Sequence, residues 1–294
     1  MSDNVIFKGT IGSVTDTAIP QSVDVVVVGS GGSGLMAAMT AAVNGRKVLV
    51  LESEEVVGGA TGVSAGAAWV PAHGFAQKHL KSDDTIEKAR TYMYGEGRDK
   101  ELDHDLVEKF LEEGPKVARY IEEHTHFGWI PTLWPDYRSD IPGASTDRAL
   151  FPGPFSPKKL GDAARYVRPA LTTGMAKNPL PFWMLNGLDP ENVWMAGPAL
   201  VGALLEASLR YGADVRINAP VHELIVEGDT VTGVRVNVDG DLTDVKAKNV
   251  ILATGGYETS DELTGEHLGA PFGEKVSPKG HNGIAVQLAE QVGA

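Results

Sequence analysis

Residues 23–52 most constrain what this chain can fold into. VDVVVV (23–28) is a β-branched run suited to a strand buried on both faces. The turn Gly29-Ser30-Gly31-Gly32-Ser33-Gly34 follows, and then an apolar stretch in which Leu35, Ala38, Met39 and Ala42 recur at helical spacing. Gly45 stands where a helix C-cap belongs, and KVLVLE (47–52) is a second strand ending in an acid. Strand, glycine turn, helix and strand within about 30 residues form a βαβ unit with parallel strands.

The turn matches G-x-G-x-x-G, but 35 of the 294 residues are glycine. At that content three glycines so spaced arise by chance in about one of every two such chains, so context must decide. Here the context agrees, because each part has a physical task in gripping a dinucleotide. Gly29 makes the tight turn, Gly31 lets the backbone approach a pyrophosphate, and Gly34 lets the helix pack on the strand. Ser30, Gly32 and Ser33 complete the turn, and the helix N-terminus offers amides and positive dipole to phosphates. Glu52 lies 18 residues beyond Gly34, where a carboxylate accepts hydrogen bonds from the adenosine ribose and disfavours a 2′-phosphate.

The motif does not separate FAD from NAD. Two further segments bear on the choice. SEEVVGGATGVSAGAAWVP (53–71) is a run of small residues that must lie flat against something, and NVILATGGY (249–257) puts two glycines at the carboxyl end of another strand. Ligands bind at such ends in open α/β sheets. A simple NAD domain needs neither segment.

Elsewhere, residues 83–126 hold two charged helical stretches separated near Gly95 and Gly97, with Asp83-Asp84 as a helix N-cap. Nine of the 17 prolines fall between 131 and 181, which predicts a largely irregular insert. Four of the five tryptophans lie between Trp129 and Trp194, so the insert is packed, and Met and Trp at 175–195 are read as core, with the lining of an apolar substrate channel as the alternative. GPALVGALLEASLRYGA reads as an amphipathic helix closing at Gly212, followed by a strand at 214–217 and a hairpin or meander at 221–238. The sum is an α/β fold with a small antiparallel sheet added.

A net charge of −13 argues against a nucleic-acid grip. The absence of cysteine excludes disulfides, thiolate nucleophiles and Cys-ligated metal or iron–sulfur centres. Residues 1–22 lack the order of a signal peptide, and no apolar run approaches the roughly 20 residues of a membrane span, so a soluble, cytoplasmic protein is expected. His124 and His126 beside Glu122 and Glu123 diverge on a helix and read as solvated charge rather than a metal site.

VVVVGSGGSGLMAA, the LE pair, VVGGATGVSAGAAW and VILATGG together resemble the flavoprotein family of fumarate reductases and 3-ketosteroid dehydrogenases. SAGAAWVP and WPDYRSDIPGASTDRALFPGPFSPKKLG look most like the 3-ketosteroid Δ1-dehydrogenases. The resemblance covers Val23 to Ala294 and implies a Rossmann-like FAD-binding domain of the GR2 type over 23–257. Residues 1–22 form a lead-in, about 127–195 the Pro/Trp-rich insert, and 258–294 the start of a linker toward a substrate-cap domain that the chain does not contain.

The resemblance also implies the site. Gly29, Gly31, Ser33 and Gly34 would hold the pyrophosphate and Glu52, with Ser53 beside it, the ribose. Gly58, Gly59, Ala60, Thr61, Ser64, Ala65 and Gly66 would line the ribityl and isoalloxazine side. Val221 would meet the adenine through its backbone, with Ala253, Thr254 and Gly255 closing the adenosine end. No histidine lies between Gly58 and Gly66, so the FAD is expected to be non-covalent. The chain departs from the family at Ala65, usually glycine, and at His281-Asn282-Gly283, usually Gly-Asp-Gly.

In the steroid enzymes a tyrosine removes a proton α to the ketone, a second tyrosine assists, and flavin N5 takes the hydride. Tyr137 matches the assisting tyrosine, although Arg138 stands where the motif has another tyrosine; Tyr137 packed on Trp134 is the plainer alternative. The implied function is an FAD-dependent CH–CH dehydrogenase component for a 3-ketosteroid or other cyclic ketone. Its expected partners are an electron acceptor such as a quinone and a second subunit carrying the cap and a C-terminal FAD segment. A fumarate- or enoate-type reductase component, or a non-catalytic flavin-binding subunit, are the alternatives.

Overall fold

The structure, a computed structural model, describes residues 5–76, 82–97, 102–169, 192–271 and 273–294. A short strand β1 (Ile11–Ser13) lies in the lead-in, followed by β2 (Ser22–Val28), α1 (Gly32–Val43) and β3 (Val48–Leu51). Then come the single-turn helix α2 (Gly59–Val63) and β4 (Ala68–Trp69), the charged helices α3 (Ile86–Gly97) and α4 (His104–His124), β5 (Trp129–Thr132) and β6 (Ala149–Pro152). A 3-10 helix (Pro157–Tyr166) and α5 (Ala196–Tyr211) lead to β7 (Asp214–Ile217), β8 (Val221–Glu227), β9 (Thr230–Val238) and β10 (Asp241–Leu252). Helices α6 (Asp261–Leu268) and α7 (Ile284–Glu290) follow.

The main sheet has the order β1-β7-β3-β2-β10-β9-β8. Its first five strands are parallel and the β10-β9-β8 arm is antiparallel. Strand β2 is apolar from Val25 to Val28, where both its faces are buried. Val25 and Val27 join the core beneath α1 and α5, while Val26 and Val28 join a second core with Val234 and Val236 of β9. The antiparallel arm therefore folds over the second face of the parallel strands.

Strand β10 serves both parts of that arrangement. Asp241 to Lys246 pair antiparallel with β9, and Lys246 to Leu252 pair parallel with β2. The sequence signal at 249–252 marks only its last third. Its first two thirds, DLTDVKAK, expose six of eight positions to solvent and bury only Val245 and Ala247, so they lack an apolar run. Helix α5 also differs from expectation. It is buried almost all round rather than amphipathic, lying between α1, α2 and the 3-10 helix. It does end as expected, with Gly212 in the left-handed conformation at φ 107°.

The 127–195 segment is less irregular than its prolines imply. Strands β5 and β6 join β4 in a second, antiparallel sheet of order β4-β6-β5. Pro131 is tolerated because β5 is an edge strand, where a missing N–H breaks no ladder. Residues 170–191, with Trp183 and Met175, lie outside the described residues, whereas Trp194 is core.

Asp84 is not a helix cap. Thr85 accepts the Lys88 amide at 3.1 Å instead. Asp84 turns inward to Arg148, which is fully buried. The Arg148 guanidinium reaches Asp84 at 2.7 Å, Asp136 at 2.7 Å and the Gly143 carbonyl at 2.8 Å, and stacks near Trp69 and Tyr92. This ion triad joins the second sheet to the start of α3 and to the 133–147 loop.

Candidate functional site

The carboxyl ends of β2, β3 and β10 open into a cleft of about 350 Å³. Of the residues expected to contact a cofactor, Gly29 to Ser33, Glu52, Ser53, Gly59 to Thr61, Val221 and Ala253 to Gly255 all line it. Ser64 and Gly66 line a neighbouring apolar cavity of about 510 Å³ with Trp69 and Phe110, which shares Gly32, Ser33 and Thr61 with the cleft. Gly34, Gly58 and Ala65 line neither.

The three motif glycines differ in kind. Gly29 has φ +100°, and a Cβ there would lie 2.4 Å from the Ala253 carbonyl oxygen. A Cβ on Gly34 would lie 2.1 Å from the Gly29 carbonyl oxygen. Gly31 meets nothing within 4 Å, so its free side faces the cleft and not the protein. Gly31 is also the N-cap of α1 and brings no capping side chain, so that, apart from the Gly32 amide taken by Thr61, the helix end and its dipole face the cleft.

Glu52 is buried where β3 ends. Its Oε2 accepts the Ser30 amide at 3.0 Å and the Ser30 hydroxyl, and its Oε1 accepts the Glu54 amide at 3.0 Å. One carboxylate thus fixes the glycine turn against the end of the second strand. The small-residue run after Glu52 lies flat as its composition requires. Gly58 donates its amide to the Ser30 carbonyl at 3.0 Å, Gly32 donates its amide to Thr61 Oγ1 at 3.0 Å, and Gly197 donates to the Ser64 carbonyl at 3.1 Å. The Thr254 hydroxyl is buried in the cleft wall with no hydrogen-bond partner among the described residues.

Several site residues escaped the sequence reading. Glu54 holds Arg168 at 2.7 Å and accepts the Gly280 amide at 2.9 Å, tying three distant loops into the cleft wall. His281 lines the cleft, with Nδ1 2.7 Å from Glu258 Oε1 and its ring over Gly255, which has φ +78°. Burial alone would raise the Glu258 carboxyl. Hydrogen bonds from Ser277, its own amide and His281 outweigh burial and hold it below the usual carboxylate range. The only sequence signal for His281 was its place in a His-Asn-Gly stretch where the resembling family has Gly-Asp-Gly.

Tyr137 stands apart from this group. It is 95% exposed, lines neither cavity, and does not pack on Trp134, whose ring lies beside Phe151. Arg138 pairs with Asp140 at 2.8 Å. Among the described residues no cluster of metal-ligating side chains forms, and His124 turns Nδ1 to the Tyr120 carbonyl. Among the same residues no helix is long and apolar enough to cross a membrane.

The open face of Gly31, the helix end behind it, the buried acid at the second strand and the unpartnered Thr254 hydroxyl suit an extended dinucleotide with a charged diphosphate in its middle. Comparison with known proteins agrees. The model of the FAD binding domain family matches residues 24–294. The chain is 28% identical to a 3-oxosteroid 1-dehydrogenase of Mycobacterium tuberculosis, over 93% of this chain and 54% of that protein. It is 31% identical to a 4-oxocyclohexanecarboxylate 2-dehydrogenase of Sinomonas cyclohexanicum, over 92% and 50%. The crystal structure of 3-ketosteroid Δ1-dehydrogenase from Sterolibacterium denitrificans superposes with a TM-score of 0.80 at 26% identity, over 94% of this chain and 55% of that one. The chain thus spans about half the length of the relatives it matches.

Proposed function

This chain belongs to the FAD binding domain family, and on that premise we propose that it is the flavin-holding part of an oxidoreductase acting on CH–CH bonds beside a ketone. The carrying observation is the cleft, in which a bare glycine face, a helix end and a buried carboxylate converge at the ends of three strands. FAD, when bound, supplies the two-electron oxidation that side chains alone cannot perform.

In this reading Gly29 to Gly34 and the start of α1 hold the diphosphate, and Glu52 and Ser53 hold the adenosine ribose. Val221, Ala253, Thr254 and Gly255 enclose the adenosine end, and the 58–66 loop bears the flavin side without a covalent tether. The substrate is a 3-ketosteroid or a smaller cyclic ketone, in keeping with relatives named for 3-oxosteroids and for 4-oxocyclohexanecarboxylate. Tyr137 assists removal of the α-proton. Its exposure supports a site closed by further polypeptide, and we assign the cap and a C-terminal flavin segment to a second subunit. A cytoplasmic location and a quinone-type electron acceptor belong to the same proposal.

Purification with any copurifying chain tests the reading. A yellow protein that releases FAD on denaturation, and that reduces an artificial acceptor with 4-androstene-3,17-dione or 4-oxocyclohexanecarboxylate, is the expected result. Absence of flavin binding overturns the cofactor site. Flavin without turnover, with or without the second chain, leaves a non-catalytic flavin subunit, and turnover of fumarate alone assigns the reductase branch.

A further inference from the structure

We propose that His281 is a cofactor-binding residue whose Nε2 contacts the diphosphate of the bound dinucleotide. The inference rests on the reading of the cleft as an FAD site, and it concerns a residue that the glycine motif does not include.

Three observations carry it. The first is direction. Glu258 Oε1 lies 2.7 Å from Nδ1, and a carboxylate only accepts, so Nδ1 carries the hydrogen and Nε2 is the free nitrogen. Nε2 has no hydrogen-bond partner among the described residues and lies 3.8 Å from where a Cβ on Gly59 would stand. That same point is 3.4 Å from the Gly31 Cα. The nitrogen therefore faces the corner onto which the bare side of Gly31 and the N-terminal end of α1 also open.

The second is charge. Among the residues lining the cleft, His281 is the one basic side chain, whereas Glu52 and Glu54 are both present. Arg168 does not line the cleft, and its Nη2 is held by Glu54 at 2.7 Å. A dinucleotide diphosphate carries two negative charges, and in a chain of net charge −13 it needs a local cation. With Nδ1 held by the Glu258 carboxylate, itself fixed by the Ser277 hydroxyl at 2.7 Å, Nε2 is the position left for a proton taken up with the diphosphate, and it would donate that proton to a phosphate oxygen.

The third is sequence. Where the resembling flavoproteins show Gly-Asp-Gly, this chain has His281-Asn282-Gly283, so an acid is lost and a base gained at adjacent positions facing the cleft. Both changes favour an anion.

The test titrates FAD, ADP and riboflavin into the full 294-residue chain, freed of flavin together with any copurified subunit. Flavin fluorescence and calorimetry supply the readouts. His281→Ala is expected to weaken FAD and ADP each about tenfold, as for loss of one charge-assisted hydrogen bond, and to leave riboflavin unchanged. His281→Gln, which keeps a donor without the charge, should recover part of the loss, and Glu258→Gln should weaken both nucleotides less than His281→Ala. Unchanged FAD and ADP affinity in a folded His281→Ala protein overturns the inference. Weaker FAD with unchanged ADP also overturns it, because the contact then lies on the flavin side. A wild-type chain that binds neither nucleotide overturns the cofactor reading, and the inference with it.

Discussion

Gly31 and Gly34 stand three residues apart in one turn, yet alanine should act on them in opposite ways. Gly31 sits at φ −66° and ψ −176°, backbone angles that alanine adopts without strain, and its missing side chain faces no protein atom within 4 Å. Gly31→Ala should therefore leave the fold intact and raise its stability by about 0.4–1 kcal/mol through the unfolded chain. The same carbon projects where a diphosphate approaches, and one methyl too many in a close-packed contact costs about 1–3 kcal/mol. FAD affinity should fall about 5- to 150-fold. At Gly34 the added carbon would lie 2.1 Å from the Gly29 carbonyl oxygen, so the start of α1 and the turn must part by about 1 Å. Stability should fall by about 2 kcal/mol or more, a loss of about 4–8 °C in Tm. Flavin fluorescence titration and thermal unfolding of both variants make the comparison. Gly31→Ala binding FAD as tightly as wild type would show that no ligand approaches that face, and the assignment of the cleft would fall.

Other perturbations separate holding the turn, holding the cofactor and doing chemistry. Glu52→Gln keeps the size but removes the charge, and should weaken FAD about tenfold or more by calorimetry; unchanged affinity would restrict Glu52 to bracing Ser30. Arg148→Met strands the Asp84 and Asp136 carboxylates in the interior and should cost about 3–5 kcal/mol in urea unfolding, with a loss under about 1 kcal/mol refuting the triad as a structural clamp. His73 is buried and neutral, since Nδ1 accepts the Phe75 amide and Nε2 meets the Asp147 carbonyl, and burial pushes its pKa below the usual 6.5. The unfolded chain then binds a proton that the native chain refuses, so stability should fall as pH drops below about 6.5. His73→Asn should flatten that slope, and parallel slopes would exclude the histidine as its source. Tyr137→Phe should change stability by less than about 0.5 kcal/mol while lowering ketone turnover about a hundredfold, and undiminished turnover removes Tyr137 from the mechanism.

The βαβ unit was legible because its signals are local. A valine run, a glycine turn and an acid-ended strand each state their conformation within a few residues, and β2, α1 and β3 form where those signals stand. The elements that escaped depend on partners far away in the chain. Strand β1 is three residues long and exists by pairing with β7, about 200 positions on. The first half of β10 is mostly polar and is held by β9. Prolines overstated the irregularity of the insert, because an edge strand removes the penalty that makes proline a strand breaker. Asp84 carried a local cap signal that a buried arginine 64 positions away outbid. The site divides along the same line. Its glycines and Glu52 belong to short motifs, whereas Arg168 braces the cleft wall, and His281 is held at the cleft, through tertiary pairing with Glu54 and Glu258.

Tyr137 shows what such pairing does for a residue that itself touches little. Its neighbour Asp136 is buried, accepts the Trp69 indole N–H at 2.7 Å and the Ser145 amide at 2.9 Å, and is held by Arg148 at 2.7 Å. The backbone at 136 is thus pinned from three sides while the next side chain projects into solvent. A proton-transfer group works only when held within about 3 Å of the reacting atoms, and an exposed phenol on a mobile loop forfeits that placement. On the proposed role of Tyr137, the backbone before it is anchored ahead of any substrate, so that share of the ordering cost would fall on folding and not on binding. If the anchor serves the chemistry, a double replacement of Asp84 and Asp136 by asparagine with Arg148→Met, which leaves no stranded charge, should recover most of the stability lost in Arg148→Met. Turnover should stay low, because the neutral set no longer pins the 136 backbone. Stability and turnover recovering together would make the triad a fold element with no hold on Tyr137.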